Sequence, residues 1–273
     1  MTNRDWGMIF LLLTLALFIW IQDISWISDF ADTLPIIASL PLFVWLGWPW
    51  RFIHGTWSLS YSGLLFSTIG FFLGSIFGSF FFFALGWSLL LWSWLSARVE
   101  PEKRQSVKQL MILPLLAFPW IMLEGEMIGW WFRLSGTWAA STLYSLLGYK
   151  VVQGGTSLLV QGLPIDVSAA CAGLNTLQSM LIAGSCIAYT IIGNYPAYWL
   201  NLIFLVIFSW IANTLRIIAI CWAAVAVSPE FAAGIFHKWG GWLVLFLMFT
   251  LCCLMFTLEK SLFQNSEKSV KEQ

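Results

Sequence analysis

The chain has 273 residues, of which 60% are hydrophobic and only 10% charged, with a mean hydropathy of +0.84. A soluble domain carries about a quarter of its residues as charges, so the composition excludes one and points to a multi-pass membrane protein. Thirteen basic and thirteen acidic residues cancel, which leaves no electrostatic footprint for nucleic acid.

From the N-terminus, Arg4 precedes an apolar run from Trp6 to Ile21. Gln22-Asp23-Ile24-Ser25-Trp26 then offers no small-x-small cleavage site, so the run reads as a retained first helix and not as a signal peptide. Apolar runs predict spans at 6–22, 34–50, 59–75, 78–97, 110–124, 171–192, 199–227 and 239–258. The block 59–97 is too long for one span and is interrupted only at Gly74-Ser75 and Gly78-Ser79, which predicts a tight hairpin. Between Glu124 and Ala170 a helix-like run passes through Trp130-Trp131 to Leu147. β-Branched residues around Gly154-Gly155 then read as a hairpin, and Gly162-Leu163-Pro164 as a second turn leading into Ile165-Asp166-Val167-Ser168. The polar tail from Lys260 reads as disordered.

The expected fold is an all-α polytopic membrane protein of about eight transmembrane helices with a small extracytoplasmic helix and β-hairpin cap. N-terminal helices fill 1–97, a cytoplasmic loop 98–109, and a second helical core 110–259, which includes the extracytoplasmic segment 124–170; a cytoplasmic tail covers 260–273. Basic residues set the orientation. With the N-terminus inside, Arg4, Arg51, Arg98, Lys103, Arg104, Lys108, Lys260, Lys268 and Lys271 are cytoplasmic, and only Arg133, Lys150 and Lys238 fall outside. The nineteen tryptophans suit the two membrane–water interfaces. Cysteines at 171, 186, 221, 252 and 253 form no CxxC pair, so neither a zinc site nor a disulfide framework is expected, and nothing calls for a metal or organic cofactor.

Three stretches carry chemistry. Ala169-Ala170-Cys171-Ala172-Gly173-Leu174-Asn175 opens the sixth span. A thiol at a helix N-terminus is favoured as thiolate by the orphan N–H groups and the dipole; a small packing thiol is the competing reading. Cys171, Asn175 and Gln178 follow the i, i+4, i+7 spacing of one helical face. In the seventh span Ser209, Asn213 and Arg216 repeat that spacing in an otherwise apolar helix. A guanidinium within a membrane helix costs a few kcal/mol and is as a rule functional or paired. Arg216 lies about 17 Å from the outer end of the span by helical rise, further than snorkelling alone recovers. His237 precedes the last span, within Phe236-His237-Lys238-Trp239-Gly240-Gly241. In this topology Cys171, Arg216 and His237 converge on the outer leaflet. A cysteine nucleophile needs a base and an acid, which imidazole supplies, and an oxyanion needs a fixed donor, which a guanidinium supplies. Glu124, Glu126 and Glu230 read as solvated outer carboxylates.

At these residues the sequence resembles the exosortase/archaeosortase family of membrane transpeptidases. The resemblance rests on Asp166-Val167-Ser168-Ala169-Ala170-Cys171-Ala172-Gly173-Leu174-Asn175, on Asn213-Thr214-Leu215-Arg216-Ile217, and on His237 with Gly240-Gly241. It covers about the last two-thirds of the chain. It implies a catalytic Cys171, Arg216 and His237; Asn175 and Asn213, on the same helical faces as Cys171 and Arg216, are expected to orient them. It implies a plasma (inner) membrane enzyme that cleaves the C-terminal sorting signal of membrane-anchored, secreted substrate proteins. That signal is a short PEP-CTERM-like motif followed by a transmembrane helix and a basic tail, and the cleaved protein passes to a glycan or lipid acceptor. Two alternatives stand beside this reading. One is an intramembrane cysteine protease that only hydrolyses; the other is an anion transporter that uses Arg216 at its binding site.

Overall fold

A backbone crossing a bilayer must satisfy its own polar groups, and helix is the form these apolar runs take. In the computed structural model the residues described are 3–27, 30–53, 59–167, 172–193, 197–232, 234 and 237–271, with backbone alone at Ala31, His237, Lys238 and 265–271. The first half holds α1 (Asn3–Ile21), α2 (Phe30–Leu46), α3 (Tyr61–Phe77), α4 (Phe80–Ser96), α5 (Pro101–Leu110), α6 (Ile112–Leu116) and α7 (Trp120–Glu124). Then come α8 (Glu126–Leu146), β1 (Val151–Gly154), β2 (Ser157–Val160), β3 (Leu163–Asp166), α9 (Leu174–Ile192), α10 (Tyr198–Ala226), α11 (Pro229–Phe231) and α12 (His237–Lys271). They divide between two compact units, Met1–Glu124 with Ser185–Trp199, and Gly125–Gly184 with Leu200–Gln273.

The chain is an all-α membrane protein with one small sheet. Among the described residues, α1, α9, α10 and Trp239–Gln264 of α12 are long and apolar enough to cross a membrane, and Asp32–Leu46, α3 and α4 are shorter apolar helices. The fifth expected span, 110–124, is instead broken into α6 and α7. Pro114 and Pro119 each lack the N–H that a continuous helix would need there. Two further expectations are corrected. The charged connection 98–109 is mostly the helix α5, started by Pro101 at its first turn and burying Val107 and Leu110. The tail from Lys260 continues α12 to Lys271, since Glu, Lys, Leu and Gln are good helix formers and no proline or glycine follows Gly241.

In the first unit the predicted hairpin joins α3 to α4. Gly78 takes the left-handed turn, with φ 63°, and its N–H reaches the Gly74 carbonyl. The two helices then run back along each other on small residues. A Cβ at Gly70 would stand 2.8 Å from the Gly86 Cα, and Ser67 donates to the Gly86 carbonyl at 2.8 Å. Lipid tails are as apolar as leucine, so close packing and such bonds, not burial from water, hold membrane helices together. At the far end of α4, Arg98 pairs with the buried Asp5 of α1, and its carbonyl accepts from the Ile53 N–H at 2.7 Å.

Glu124 is not a free carboxylate. It receives the N–H groups of Phe80 and Phe81 and, at 3.1 Å, the Ser79 hydroxyl. It thus caps α4 from a residue forty-four positions away, while Ser79 at the N-cap makes no capping bond of its own.

In the second unit β1, β2 and β3 form an antiparallel sheet in sequence order, with Val151 opposite Val160 and Leu158 opposite Ile165. The expected hairpin is therefore present, and its second turn adds a third strand. Gln161 and Gly162, with φ 53° and 81°, make that turn. Leu158 and Val160 are buried with Ala140 and Tyr144 of α8 and Ile217 and Cys221 of α10. The helix α8 runs alongside α10 in the same direction: Ser135 accepts from the Trp210 indole at 2.8 Å, Gly136 faces Ile217, and the Tyr144 hydroxyl donates to the Ile218 carbonyl at 2.7 Å.

Glu124→Ala should destabilise the first unit by about 0.5–2 kcal/mol, the usual range for a lost N-cap. Reversible unfolding in detergent would measure this, and an unchanged midpoint would show that water replaces the carboxylate without loss.

Candidate functional site

The second unit is organised around α10. A Cβ at Gly184 of α9 would lie 2.4 Å from Leu205, and one at Gly173 would lie 2.6 Å from the Asn213 carboxamide carbon. Contact moves down α9 as it moves back along α10, so these helices are antiparallel. The same holds for α10 and α12: Asn201 donates to the Glu259 carboxylate at 2.8 Å, and Arg216 lies against Gly241.

The structure brings two of the three sequence stretches onto α10 directly. Gly173, two residues after Cys171, has φ +77°, and its carbonyl accepts the first helical bond of α9 from the Leu177 N–H at 2.8 Å. Cys171 itself lies outside the described residues. The helix begins at Leu174, so the expected helical stripe Cys171-Asn175-Gln178 is interrupted: left-handed Gly173 turns the chain before Asn175. Asn175 is half-buried in the first turn of α9, and Gln178 is buried. Asn213 is 1% exposed, packed against Gly173 from the other side.

Three residues further along α10, Arg216 is half-buried and faces α12. Its Nε and Cζ lie 3.5 and 3.6 Å from where a Cβ on Gly241 would stand. Gly241 is four residues into α12 from His237, which forms that helix's first residue; the His237 side chain lies outside what is described. A Cβ at Gly241 would make ordinary van der Waals contact with the guanidinium, so α12 lies directly beside Arg216 there. The Glu230 carboxyl, in α11, is held below its ordinary range by its own backbone N–H and the Ser228 hydroxyl. It therefore stays ionised as a helix-start group, in keeping with its reading as a solvated carboxylate. No cluster of His, Cys, Asp and Glu able to hold a metal occurs among the described residues.

One site feature escaped the sequence reading. Arg133 of α8 counted there only as an outer charge. Its Nη1 donates to the Val167 carbonyl at 3.4 Å, while its buried Nε has no partner among the described residues. One turn earlier, a Cβ at Gly129 would meet Ala172 at 2.8 Å. Thus α8 touches the chain on both flanks of 168–171, through residues four apart on one helical face. The buried stripe Gly129, Phe132, Gly136, Ala140 and Tyr144 was the available signal, since it marks α8 as a packed helix with Arg133 on its margin.

Residues 26–256 match the family model of the transmembrane exosortases (Exosortase_EpsH). The chain belongs to the transmembrane exosortase family. The exosortases are membrane-embedded, sorting-related enzymes, known as a cysteine peptidase/transpeptidase family. The matched region takes in every residue of the site described above and leaves out all of α1 and the end of α12. No significant match was found among curated proteins or solved structures.

Arg133→Ala should loosen the chain on the N-terminal flank of Cys171. With Cys186, Cys221, Cys252 and Cys253 replaced by Ala, maleimide should label Cys171 severalfold faster in the Arg133→Ala protein. An unchanged labelling rate would show that the Val167 contact does not order this segment.

Proposed function

We propose that this exosortase is a cysteine transpeptidase that cleaves the C-terminal sorting signal of membrane-anchored secreted proteins and transfers them to a surface acceptor. The observation that carries the reading is the pair of contacts made by α10. Asn213 packs on Gly173, two residues after Cys171, and Arg216 packs on Gly241, one turn after His237. The three stretches that bear the chemistry thus meet within one turn of a single apolar helix.

Cys171 attacks the scissile carbonyl as thiolate, with His237 taking its proton. Arg216 supplies a fixed positive donor at the reacting group, and a guanidinium stays charged at any working pH. His237 returns the proton to the leaving amine, and a thioester remains for the acceptor nucleophile. The substrate class is carried from the family: a short PEP-CTERM-like motif, a transmembrane helix and a basic tail, with a glycan or lipid as acceptor. Hydrolysis by water shares the first half of this sequence and differs only in the last nucleophile.

The site faces the extracytoplasmic side of the plasma (inner) membrane, with both termini inside. Within the first unit, Arg98 pairs with Asp5 at one end of α4, and the Arg51 carbonyl accepts the Glu100 N–H there. The Gly78 turn and Glu124 occupy the opposite end. That separation supports the orientation read from the basic residues, because cytoplasmic ends collect arginine and lysine.

The test is processing of a tagged substrate in cells by wild type, Cys171→Ser, Arg216→Lys and His237→Ala. All three variants should accumulate in the membrane and fail to shift the substrate; Arg216→Lys fails because a point charge does not reproduce the planar fork. Substantial processing by Cys171→Ser would end the proposal.

A further inference from the structure

Resting on that reading, we infer that Asn213 is a further catalytic residue, whose carboxamide N–H donates to the scissile carbonyl oxygen and holds the negative charge that develops there. Asn213 is 1% exposed, and neither its Nδ2 nor its Oδ1 has a hydrogen-bond partner among the described residues. Buried amides left in this state are rare, because folding takes them from water and gives nothing back. The Ser209 and Thr214 hydroxyls of α10 also lack partners among the described residues, but only Asn213 offers two unpaired polar atoms together, and its position beside Gly173 sets it apart.

That position says which group it serves. The carboxamide carbon and oxygen lie 2.6 and 2.8 Å from where a Cβ on Gly173 would stand. Any other residue at 173 would push the amide aside, and φ +77° at Gly173 would strain it as well. Asn213 is therefore held against the chain that leads out of Cys171. Arg216 lies against α12 instead, near Gly241. The two donors of α10 face different neighbours, and they divide the work: Asn213 serves the carbonyl that Cys171 attacks, and Arg216 serves the His237 side of the reaction.

A neutral amide suits this task. It gains most when charge appears on the oxygen and little before, so it favours the transition state over the bound substrate. In the first step the Cys171 sulfur forms a bond to the carbonyl carbon and the carbonyl π pair moves onto oxygen, which accepts from Asn213 Nδ2. In the second that pair returns, the C–N bond breaks, and the amine leaves with the proton held by His237. The product is a thioester on Cys171.

Ser209 provides the internal control. It stands one turn back on α10, is 0% exposed, and its hydroxyl also lacks a partner among the described residues, yet it is a turn away from Gly173. Full-length Asn213→Leu, Asn213→Asp and Ser209→Ala would be assayed in membranes for single-turnover cleavage of a tagged sorting-signal substrate, normalised to accumulated enzyme, together with substrate capture by crosslinking. Both Asn213 variants should capture substrate as wild type does and cleave about 100- to 1,000-fold more slowly, the usual cost of one oxyanion donor; Ser209→Ala should cleave normally. Cleavage by Asn213→Leu within about threefold of wild type, or a loss that tracks substrate capture, would overturn the assignment. Cleavage without Cys171 would instead remove the parent reading, so the two failures are separable.

Discussion

The apolar helix α10 can carry a buried carboxamide only because its neighbours come close enough to cover it, and α9 and α8 come close through glycine. Gly173 and Gly184 admit α9, and Gly136 admits α8. In water, burial of apolar surface would pull these helices together whatever their side chains. In lipid that force is missing, and contact distance decides. A methyl group at any of these three would enter space now held by Asn213, Leu205 or Ile217. The glycines thus set both the packing of the second unit and the surroundings of its polar side chains.

The polar groups obey the same constraint from the other direction. A bilayer offers no water to unpaired donors, so helix ends and buried charges need partners supplied by the chain. Glu124 supplies the N-terminus of α4, Asp5 supplies Arg98, and Glu259 supplies Asn201. Where this accounting closes, the contact is architecture. Among the described residues it stays open at Ser88, Trp94, Ser209, Asn213, Thr214 and the Nε of Arg98 and Arg133, and of these Asn213 and Arg133 contact the chain on the two flanks of Cys171.

Much of this was legible in the sequence because a bilayer makes sequence unusually direct. Long apolar runs gave the helices, Gly78 gave the hairpin between α3 and α4, and Gly154-Gly155 with Gly162 gave the strand turns. The polar intrusions at Asn213 and Arg216 stood out for the same reason: nothing apolar about their helix explains them. Reading failed where a local signal had a nonlocal owner. Glu124 looked solvated because its partners are Phe80 and Phe81, forty-odd residues away. Arg133 looked like an orientation signal because its contact, the Val167 carbonyl, is backbone and leaves no mark in side-chain pattern. The run 110–124 looked like a span because hydropathy weighs Pro114 and Pro119 only lightly, whereas the backbone feels each missing donor in full.

By itself, then, the sequence determined membership of the transmembrane exosortases, the apolar helices and the strand turns, since each depends on residue type and spacing along the chain. Only the tertiary structure decided that α9 starts at Leu174 and not at Cys171, that α8 lies alongside α10, and that Asn213 and Arg216 face different neighbours. These are matters of which surfaces come within a few ångströms. That distance is set jointly by a glycine on one partner and the side chain that faces it on α10, and a pattern read along one helix does not contain it.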